Sequence, residues 1–593
     1  MNTTSVTGKN WVMQTFDFEK IKFLKDNYFL DEIIAKLIVI RKIKHEEIKD
    51  FLNPSIKNLL PNPNNLMDME KSSLRTIVSI ENKERIGIFG DYDVDGASST
   101  ALLGNYFKKL NIPYEIYIPD RKKEGYGPSI TGIESLIKKK VKLIFTVDCG
   151  TLSYQAIDYA NKNKIDVIVL DHHQSEVKLP KAHSVINPNR IDDKSNLEYL
   201  CAAGVTFMFL VSLNFYLKKK NWFNKNSINE PNLINCLDLV SLGTVCDVVP
   251  LIGLNRAIVK QGLKILKEKK NLGLKTLIDI CNIKNNFSSY HLGYILGPRI
   301  NAGGRVGKCS HGANLLLKSD AKEVFKLANE LDQYNKERQY LEKDLLKKIL
   351  NNNKLNFNDP VLVIEGLNWH EGVIGIVASR LKDKYNKPTI IISLDKNIGK
   401  ASARSILGFD IGATIIAAVQ KKILLKGGGH KMAGGFTIEA SKINEFKDFL
   451  TKRFNKMNFD NKKKFLFVDS KISPSALNLD FFEKINVLSP FGAGNPEPKF
   501  CIENLKPVNS KIVAENHIKS ILISPEGTNV NAIAFNAVDN ELGAYLLKKK
   551  GIMFNIAGKL SLNEWRGEKN VEFIIDDISV NKTIKNMVPS SIG

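Results

Sequence analysis

Three apolar segments in the first third of the chain are each followed directly by an acidic residue, and the first two are then followed by a segment typical of a helix. The apolar segments end at residues 90, 147 and 170, and the acids that follow them begin at Asp91, Asp148 and Asp171. Short β-rich segments that alternate with amphipathic helices predict a parallel, doubly wound sheet. Because ligands bind at the carboxyl ends of the strands in such a sheet, we expect these acids to lie close together there.

The turn after the first segment carries three carboxylates in five residues, Asp91, Asp93 and Asp95 of GDYDVDG. Such groups repel one another unless cations neutralise them, which favours a divalent metal site, with helix capping as the alternative. The acid after the third segment is followed by His172 and His173. Mixed carboxylate and imidazole ligands suit Mn²⁺, Zn²⁺ or Fe²⁺, and an oxygen-rich majority favours Mn²⁺ or Mg²⁺. A cluster of about four to six such ligands can hold two metal ions, which makes phosphoester hydrolysis the leading chemistry.

Length and composition exclude several classes of protein. The 593 residues predict two to four domains, and the 43% apolar and 25% charged fractions exclude a mainly disordered or fibrous chain. The net charge of +23 favours a polyanion such as nucleic acid as a partner, although the Lys- and Asn-rich bias of an AT-rich genome is another explanation. Seven cysteines without a CxxC pair argue against a disulfide framework or a thiolate zinc site, as expected in a reducing cytoplasm. We expect neither a signal peptide nor a membrane span.

The second half of the chain contains three further patterns. Apolar residues between Val324 and Leu345 recur every three or four positions and predict one long helix. This helix is either a coiled-coil dimer or a spacer that packs on flanking domains, and Arg338 on the stripe favours the spacer. A second strand–helix alternation covers 361–438 and includes GGGHKMAGG, which predicts a glycine-rich, anion-binding loop. Short β segments after Asn461 predict a small antiparallel barrel or sandwich.

Four motifs in this order resemble those of the DHH phosphoesterase superfamily: GDYDVDG at 90–96, VDCG at 147–150, LDHHQ at 170–174 and TVCDVVPL at 244–251. Four more narrow the resemblance to the RecJ family of bacterial exonucleases: GPRINAGGR at 297–305, GKASARS at 399–405, GGGHKMAGG at 427–435 and SPFGAGNPEP at 489–498. The resemblance extends from about residue 70 to residue 580. Ala202 departs from it, because many relatives have glycine there, and we expect this to affect only packing.

This resemblance implies a metal-dependent exonuclease that is specific for single-stranded DNA, degrades it 5′→3′ to mononucleotides and acts in DNA repair and recombination. The cofactors would be two Mn²⁺ or Mg²⁺ ions. The positions that match metal ligands are Asp91, Asp93, Asp95, Asp148, His172 and Asp247, with Asp148 as the bridge between the ions. His173 matches a histidine that contacts the scissile phosphate, and we assign it a catalytic role together with Asp95 and Asp148. Asp91 and Asp171 are either ligands or residues that orient ligands.

The same resemblance identifies candidate nucleic-acid-binding residues. They are Arg121, Arg299, Asn301, Arg305, Ser402, Arg404, Gly428, Gly429 and His430. The arginine fork suits phosphate oxygens, and a pocket for the terminal phosphate would explain 5′ polarity, whereas surface salt bridges are the alternative for each arginine. In the C-terminal β region Phe491, Phe500 and Trp565 are candidates for stacking on bases, or are core residues of a barrel.

The resemblance also implies an α/β domain organisation. We expect an N-terminal helical segment (1–70), a parallel-sheet DHH domain (71–255), a helical connector with the long helix (256–352), a DHHA1 α/β domain (353–458) and an OB-type β domain (459–593). The expected state is a cytoplasmic monomer that binds single-stranded DNA, with a single-strand-binding protein and a helicase as candidate partners. The alternatives are an oligonucleotide or cyclic-dinucleotide phosphodiesterase of the same superfamily, and a catalytically silent single-strand-binding factor.

Overall fold

The chain folds into two compact units. The computed structural model describes residues 4–121, 123–284, 286–352, 355–456, 464–548, 552–565 and 568–580. One unit comprises Met1–Asn53, Asp460–Phe491 and Asn495–Gly593, and the other comprises Pro54–Phe459 with Gly492–Gly494. We call the first the terminal unit and the second the central unit. None of the helices in the described part of the chain is long and apolar enough to cross a membrane.

The central unit begins with a five-stranded parallel sheet. From edge to edge its strands are Tyr114–Tyr117, Ile86–Gly90, Leu143–Val147, Asp166–Leu170 and Ser184–Ile186. Helices Val94–Lys109, Ile130–Lys138 and Tyr154–Lys162 connect successive strands. Neighbouring residues such as Ile88 and Phe89 belong to separate apolar cores on the two faces, which explains why the strands are continuously apolar.

The strand order of this sheet determines where a ligand binds. The chain enters at Ile86–Gly90, moves to the edge strand Tyr114–Tyr117, and then crosses to Leu143–Val147 on the other side of the first strand. This reversal is a topological switch point, and in open α/β sheets the crevice at the carboxyl ends of the two diverging strands is the usual ligand site. Asp91 and Asp148 are the first residues after those two strands.

Helices make up the rest of this half of the central unit. They are Ile56–Leu59, Met69–Glu81, Ala202–Lys219, Trp222–Lys225, Leu237–Cys246, Gly253–Lys267, Leu272–Ile280, the π-helix His291–Leu296, Gly297–Val306, His311–Leu317 and Ala321–Leu350. The last of these is the predicted long helix, with 30 residues. Val324 and Leu331 on its stripe pack in the core of the first sheet, while Leu345 and Ile349 pack in a core of the following domain. The stripe therefore packs within the chain, as expected of a spacer helix.

A second sheet completes the central unit. Its five strands are, in order, Lys426–His430, Ala433–Glu439, Ile398–Arg404, Thr389–Asp395 and Leu362–Leu367, and only the last pair is parallel. Helices Glu371–Tyr385, Ile411–Gln420 and Ile443–Asn455 pack with them. The predicted glycine-rich loop at 427–435 is instead a β-hairpin: the backbone of Gly428 pairs with that of Gly435. The hairpin glycines allow helix Ile411–Gln420 to approach, because a Cβ at Gly434 would lie 2.5 Å from Ile415 Cδ1.

The terminal unit contains a closed five-strand barrel. The strands are Phe500–Val513, His517–Ile523, Asn529–Ala534, Phe554–Trp565 and Glu568–Val580, with helix Glu541–Lys548 between the third and fourth. The first strand pairs with both the second and the fourth, and the third and fifth form a parallel pair that closes the barrel. This is the predicted OB-type architecture. Phe500 is 1% exposed and Phe491 is partly buried, so both pack in the core, and the Trp565 side chain lies outside the described residues.

The N-terminal segment differs from the purely helical prediction. Helices Phe18–Tyr28, Glu32–Ile40 and Ile48–Leu52 are present, but Thr4–Ser5 and Lys9–Met13 are strands. The second of these pairs in parallel with Lys464–Val468 of the terminal unit. The buried carboxylate of Asp577 holds this segment, because it accepts hydrogen bonds from Ser5 Oγ (2.5 Å), Thr7 Oγ1 (2.9 Å) and Trp11 Nε1 (2.8 Å).

Candidate metal centre and phosphate pocket

The acidic turn after the first strand is built into the start of a helix. Asp93 is the N-cap of Val94–Lys109, and its carboxylate accepts the backbone N–H of Gly96 at 2.9 Å. Asp95 is 1% exposed and accepts the backbone N–H groups of Ala202 (2.6 Å) and Ala203 (2.9 Å) at the start of a second helix. Both carboxylates therefore lie at helix N-termini, where the helix dipole stabilises negative charge.

The other candidate ligands meet this turn at the switch point. His172 Nε2 lies 3.3 Å from Asp148 Oδ1, 3.6 Å from Asp247 Oδ2 and 3.8 Å from Asp95 Oδ2. Three overlapping groups have ligand atoms within 4.8 Å of one another: Asp148 with His172 and His173, Asp95 with His172 and Asp247, and Asp91 with Asp93 and Asp148. All seven side chains that the sequence suggested for this centre are thus brought together, and Asp148 and His172 each belong to two groups.

The electrostatics of this cluster fit divalent cations. Burial, followed by the charges of neighbouring carboxylates, raises the pKa values of Asp91 and Asp148 well above the ordinary range, and raises that of Asp247 to about 8. Among the described residues, Asp91 Oδ1, Asp148 Oδ1 and His172 Nε2 are buried without a hydrogen-bond partner. Buried polar atoms are normally paired, so these atoms indicate a ligand. Oxygen-rich ligand sets with one or two imidazoles suit Mn²⁺ or Mg²⁺.

Asp171, whose role the sequence left open, forms hydrogen bonds with the His173 ring and with the backbone of His172. Its Oδ1 accepts His173 Nδ1–H and the backbone N–H of His172, both at 2.8 Å, and its Oδ2 accepts the backbone N–H of Thr151 at 3.0 Å. Both oxygens are therefore engaged with protein donors. Burial opposes a charge on His173, but the hydrogen bond and charge of Asp171 outweigh it and raise the pKa of His173 to about 9. This favours the cationic form of His173 near neutral pH in the metal-free protein.

Tyr126 is a residue at this centre that the sequence analysis missed. Its hydroxyl donates to the Asp148 carbonyl oxygen at 2.9 Å and lies 3.1 Å from His173 Nδ1. The Tyr126 and His173 rings meet edge to face at 5.5 Å between centroids. The signal was the GYG sequence at 125–127, in the same loop as Arg121, but nothing in that pattern showed which strand edge the loop faces.

A cationic cavity of about 450 Å³ lies in the same unit. Arg121, Arg305, Ser402 and Arg404, all suggested by the sequence, line it together with Lys400 and Lys426, which the sequence analysis missed. Its acidic lining residue, Glu371, is paired with Lys400 at 3.0 Å. Burial and the nearby charges of Arg121, Arg338 and Arg404 lower the pKa of Arg305 to about 10. This excess of positive charge in a partly desolvated cavity favours an anion.

The cavity borders the acidic cluster through Tyr92, which lies between Asp91 and Asp93 in the sequence. The Arg121 guanidinium lies over the Tyr92 ring, 5.6 Å from its centroid. Gly304, which lines the cavity, allows close approach on the other side, because a Cβ there would lie 3.0 Å from Tyr92 Cδ2. The anion-binding cavity and the candidate metal centre are therefore neighbours.

Five of the suggested nucleic-acid-binding residues lie elsewhere. The described residues that line the cavity do not include Arg299, Asn301, Gly428, Gly429 or His430. Arg299 donates to Asp332 at 2.8 Å and to the Ile295 carbonyl at 2.8 Å, the salt bridge that the sequence analysis had kept as the alternative. Asn301 is half-buried on the same helix, and Gly428, Gly429 and His430 lie on the edge strand Lys426–His430, where a Cβ at Gly428 would meet no described atom within 4 Å.

Comparisons with known proteins agree with this architecture. Residues 85–244 match the DHH family, N-terminal domain, residues 358–456 match the DHHA1 domain, and residues 468–577 match the RecJ OB domain. The chain is 32% identical to the single-stranded-DNA-specific exonuclease RecJ of Haemophilus influenzae over 552 residues, covering 91% of this chain and 95% of that protein. It is 33% identical to RecJ of Escherichia coli, covering 89% of this chain and 92% of that protein.

The fold comparison gives the same result. The crystal structure of RecJ in complex with Mn²⁺ from Thermus thermophilus matches with a TM-score of 0.79 and 26% identity, over 97% of this chain and 80% of that one. The predicted fold class is thereby confirmed: a parallel-sheet DHH domain, a long connecting helix, a DHHA1 domain and an OB-type barrel. The chain therefore belongs to the RecJ family of single-stranded-DNA-specific exonucleases.

Proposed function

We propose that this protein is a metal-dependent exonuclease that degrades single-stranded DNA 5′→3′ to mononucleotides, in DNA repair and recombination. The observation that carries this proposal is the contact, through Tyr92, between a buried acidic cluster and a cationic cavity. A terminal 5′ phosphate in the cavity would place the first phosphodiester next to the acids. Relatives named as single-stranded-DNA-specific exonucleases, and the Mn²⁺-bound relative from Thermus thermophilus, support the substrate and cofactor.

The side chains of the acidic cluster would hold two Mn²⁺ or Mg²⁺ ions. Asp91, Asp93, Asp95, His172 and Asp247 supply ligand atoms, and Asp148, which belongs to two of the three groups, is the proposed bridge. When bound, such ions activate water and stabilise negative charge at the reacting phosphorus.

The remaining residues of the centre, Asp171 and Tyr126, orient His173, and Asp171 favours its protonated form. Asp171 holds His173 in a fixed orientation as a cation, from which it can donate a hydrogen bond to a non-bridging phosphate oxygen. The Tyr126 hydroxyl also lies 3.1 Å from His173 Nδ1 and donates to the Asp148 carbonyl oxygen, so it links the His173 ring to the backbone of Asp148. A charge on His173 would then compensate the negative charge that develops on the phosphate.

The cavity accounts for the proposed 5′→3′ direction of degradation. Arg121, Arg305 and Arg404 place guanidinium groups around one space, and the Ser402 hydroxyl adds a donor and acceptor. Three guanidinium groups around one anion suit a terminal phosphate monoester better than an internal diester, because the monoester carries more negative charge. We therefore assign the cavity to the 5′ phosphate, and the barrel of the terminal unit to the single strand farther from the end.

The test is a time course on single-stranded DNA labelled at either end, with Mn²⁺, Mg²⁺ or EDTA. Wild type should release mononucleotides from the 5′ end only with metal, and Asp95→Asn, which keeps one of the two oxygen acceptors that face the backbone N–H groups of Ala202 and Ala203, should be inactive. Asp238→Asn is the matched control, since Asp238 is a buried acid outside the cluster. Cleavage restricted to di- to tetranucleotides would replace this proposal with a small-oligonucleotide phosphodiesterase. Binding without cleavage would identify a silent single-strand-binding factor.

The proposal extends to the domain boundaries, the oligomeric state, the cellular location and the partners of the protein. We propose domain boundaries at 71–255 (DHH), 256–352 (connector), 353–458 (DHHA1) and 459–593 (OB-type), after an N-terminal segment 1–70. We also propose a monomer, because the stripe of the long helix packs within the chain. All seven cysteines are free thiols, which supports a cytoplasmic location. A single-strand-binding protein and a helicase remain the proposed partners.

A further inference from the structure

The loop that carries Asp247 is held in an unfavourable conformation. It connects helix Leu237–Cys246 to helix Gly253–Lys267. Val248, the next residue after Asp247, has φ of 60° and is 68% exposed. A β-branched residue in the left-handed region is a genuine outlier, and such backbone persists only where the surroundings impose it. The position of the Asp247 carboxylate therefore depends on what holds the loop.

A three-residue segment from far along the chain provides that support. The backbone N–H of Leu251 donates to the Ala493 carbonyl oxygen at 2.8 Å, and Leu251 is 1% exposed. The neighbours of Ala493 are glycines that permit this approach. A Cβ at Gly492 would lie 2.7 Å from Leu251 Cδ1, and a Cβ at Gly494, whose φ is +71°, would lie 3.1 Å from Pro250 Cβ. We call Gly492–Gly494 the support segment.

The support segment has fixed ends, although it stands apart from its neighbours in sequence. Gly492–Gly494 belongs to the central unit, whereas the residues before and after it belong to the terminal unit. Asn495, which follows directly, is 1% exposed, and its side-chain amide donates to the carbonyl oxygens of Leu488 and Pro490, both at 2.9 Å. Its Oδ1 accepts Arg41 Nε–H at 2.9 Å. The side chain of Asn495 thus links the residue after the support segment to residues that precede the segment.

We infer that the support segment positions Asp247 for metal binding, so that residues about 245 positions away in sequence set the metal affinity of the acidic cluster. This inference rests on the proposed metal centre. The backbone of residue 493 and the absent side chains of Gly492 and Gly494 act through the loop, so they are positioning residues. Groups that orient metal ligands from outside typically change metal affinity 10- to 100-fold when altered.

The test compares two glycine variants by calorimetric titration with Mn²⁺, without DNA. Gly494→Ala adds a methyl group against the rigid Pro250 ring. Gly527→Ala is the matched control, because Gly527 has φ of +84° and its Cβ would meet no described heavy atom within 4 Å. Both variants strain the backbone, but only Gly494→Ala displaces the loop. We expect Gly494→Ala to bind Mn²⁺ about tenfold more weakly and Gly527→Ala to bind it like wild type.

A second variant and a folding control complete the test. Gly492→Ala places a methyl group against Leu251 instead of Pro250 and should also weaken Mn²⁺ binding. Thermal unfolding in EDTA verifies that each variant is folded. Wild-type Mn²⁺ affinity in both Gly492→Ala and Gly494→Ala, or an equal loss in Gly527→Ala, would overturn the positioning role. A wild type that binds Mn²⁺ but degrades no DNA, with the same ranking of variants, would overturn the exonuclease function and still support the positioning role.

Discussion

Replacing Asp247 with asparagine should stabilise the metal-free protein while abolishing its activity. Burial and the charges of Asp95 and Asp93 raise the pKa of Asp247 to about 8. In the unfolded chain this carboxyl titrates near its ordinary pKa of about 3.9, so between about pH 4 and pH 7 the unfolded state ionises and the folded state resists ionisation. Stability is therefore lost as the pH rises through this window.

The size of the effect follows from the pKa difference. About three pH units between 4 and 7, at about 1.4 kcal/mol per unit, give about 4 kcal/mol of unfavourable free energy at pH 7. The Asp247 side chain is 25% exposed, and solvent screening reduces this value. We expect Asp247→Asn to raise the free energy of unfolding of the metal-free protein by about 2 kcal/mol at pH 7 and to leave it unchanged near pH 4.

Urea denaturation in EDTA at several pH values measures this gain. With Mn²⁺ at 100 times its Kd, wild type should gain about 2.7 kcal/mol, and Asp247→Asn should gain much less because it lacks a ligand. Asp238→Asn, in the first turn of the helix that precedes Asp247 and outside the cluster, should retain the wild-type response to Mn²⁺. A lower stability of Asp247→Asn than of wild type at pH 7 in EDTA, or a gain in stability that does not change with pH, would contradict a raised pKa of Asp247.

Three other substitutions test separate parts of the structure. Asp171→Asn should lower the pKa of His173 from about 9 and reduce turnover about 10- to 100-fold; an unchanged histidine titration by NMR would contradict the orienting role. Arg404→Ala should weaken binding of 5′-phosphorylated single strands about 10- to 100-fold relative to 5′-hydroxyl strands, whereas equal losses on both would exclude a phosphate pocket. Asp577→Ala removes the acceptor of Trp11 Nε1–H and of the Ser5 and Thr7 hydroxyl groups. It should lower the free energy of unfolding by about 2–4 kcal/mol and make proteolysis near residue 10 faster. Unchanged stability would refute the anchoring role of Asp577.

The sequence predicted the acidic cluster well because its information is local. A local pattern of about ten residues predicts that each acid follows a strand, and the parallel sheet brings the carboxyl ends of these strands to one edge. Asp247 was different, since only its motif suggested a role and the helical pattern around it was unremarkable. The position of Arg299 could not be predicted from its motif: it shares the motif with Arg305, but its guanidinium pairs with Asp332, and it is not among the described residues that line the cavity.

Long-range pairing explains most of what the sequence did not predict. The strand Lys9–Met13 is short, and its partner Lys464–Val468 lies more than 450 residues away, so no local pattern indicates the pairing. The glycine hairpin looked like a loop because strand propensity is low in glycine-rich segments, whereas helix Ile411–Gln420 needs that lack of side chains to pack closely. Tyr126 was missed for a similar reason, because its loop could face either edge of the sheet.

The two sites of the central unit carry opposite charges, and each is unfavourable without a ligand. Burial and mutual repulsion raise the pKa values of the acids, while burial and neighbouring guanidinium groups lower that of Arg305. A phosphate alone would be repelled by the acids beside Tyr92, and divalent cations alone would leave the arginines without a counter-charge. Cations bound by the acids and a phosphate bound by the arginines together neutralise both sites, which adjoin where Arg121 contacts the Tyr92 ring. The electrostatic cost that the fold retains in the free protein is thus relieved at both sites only when cations and a phosphate are bound together, as a nuclease requires before it can cleave.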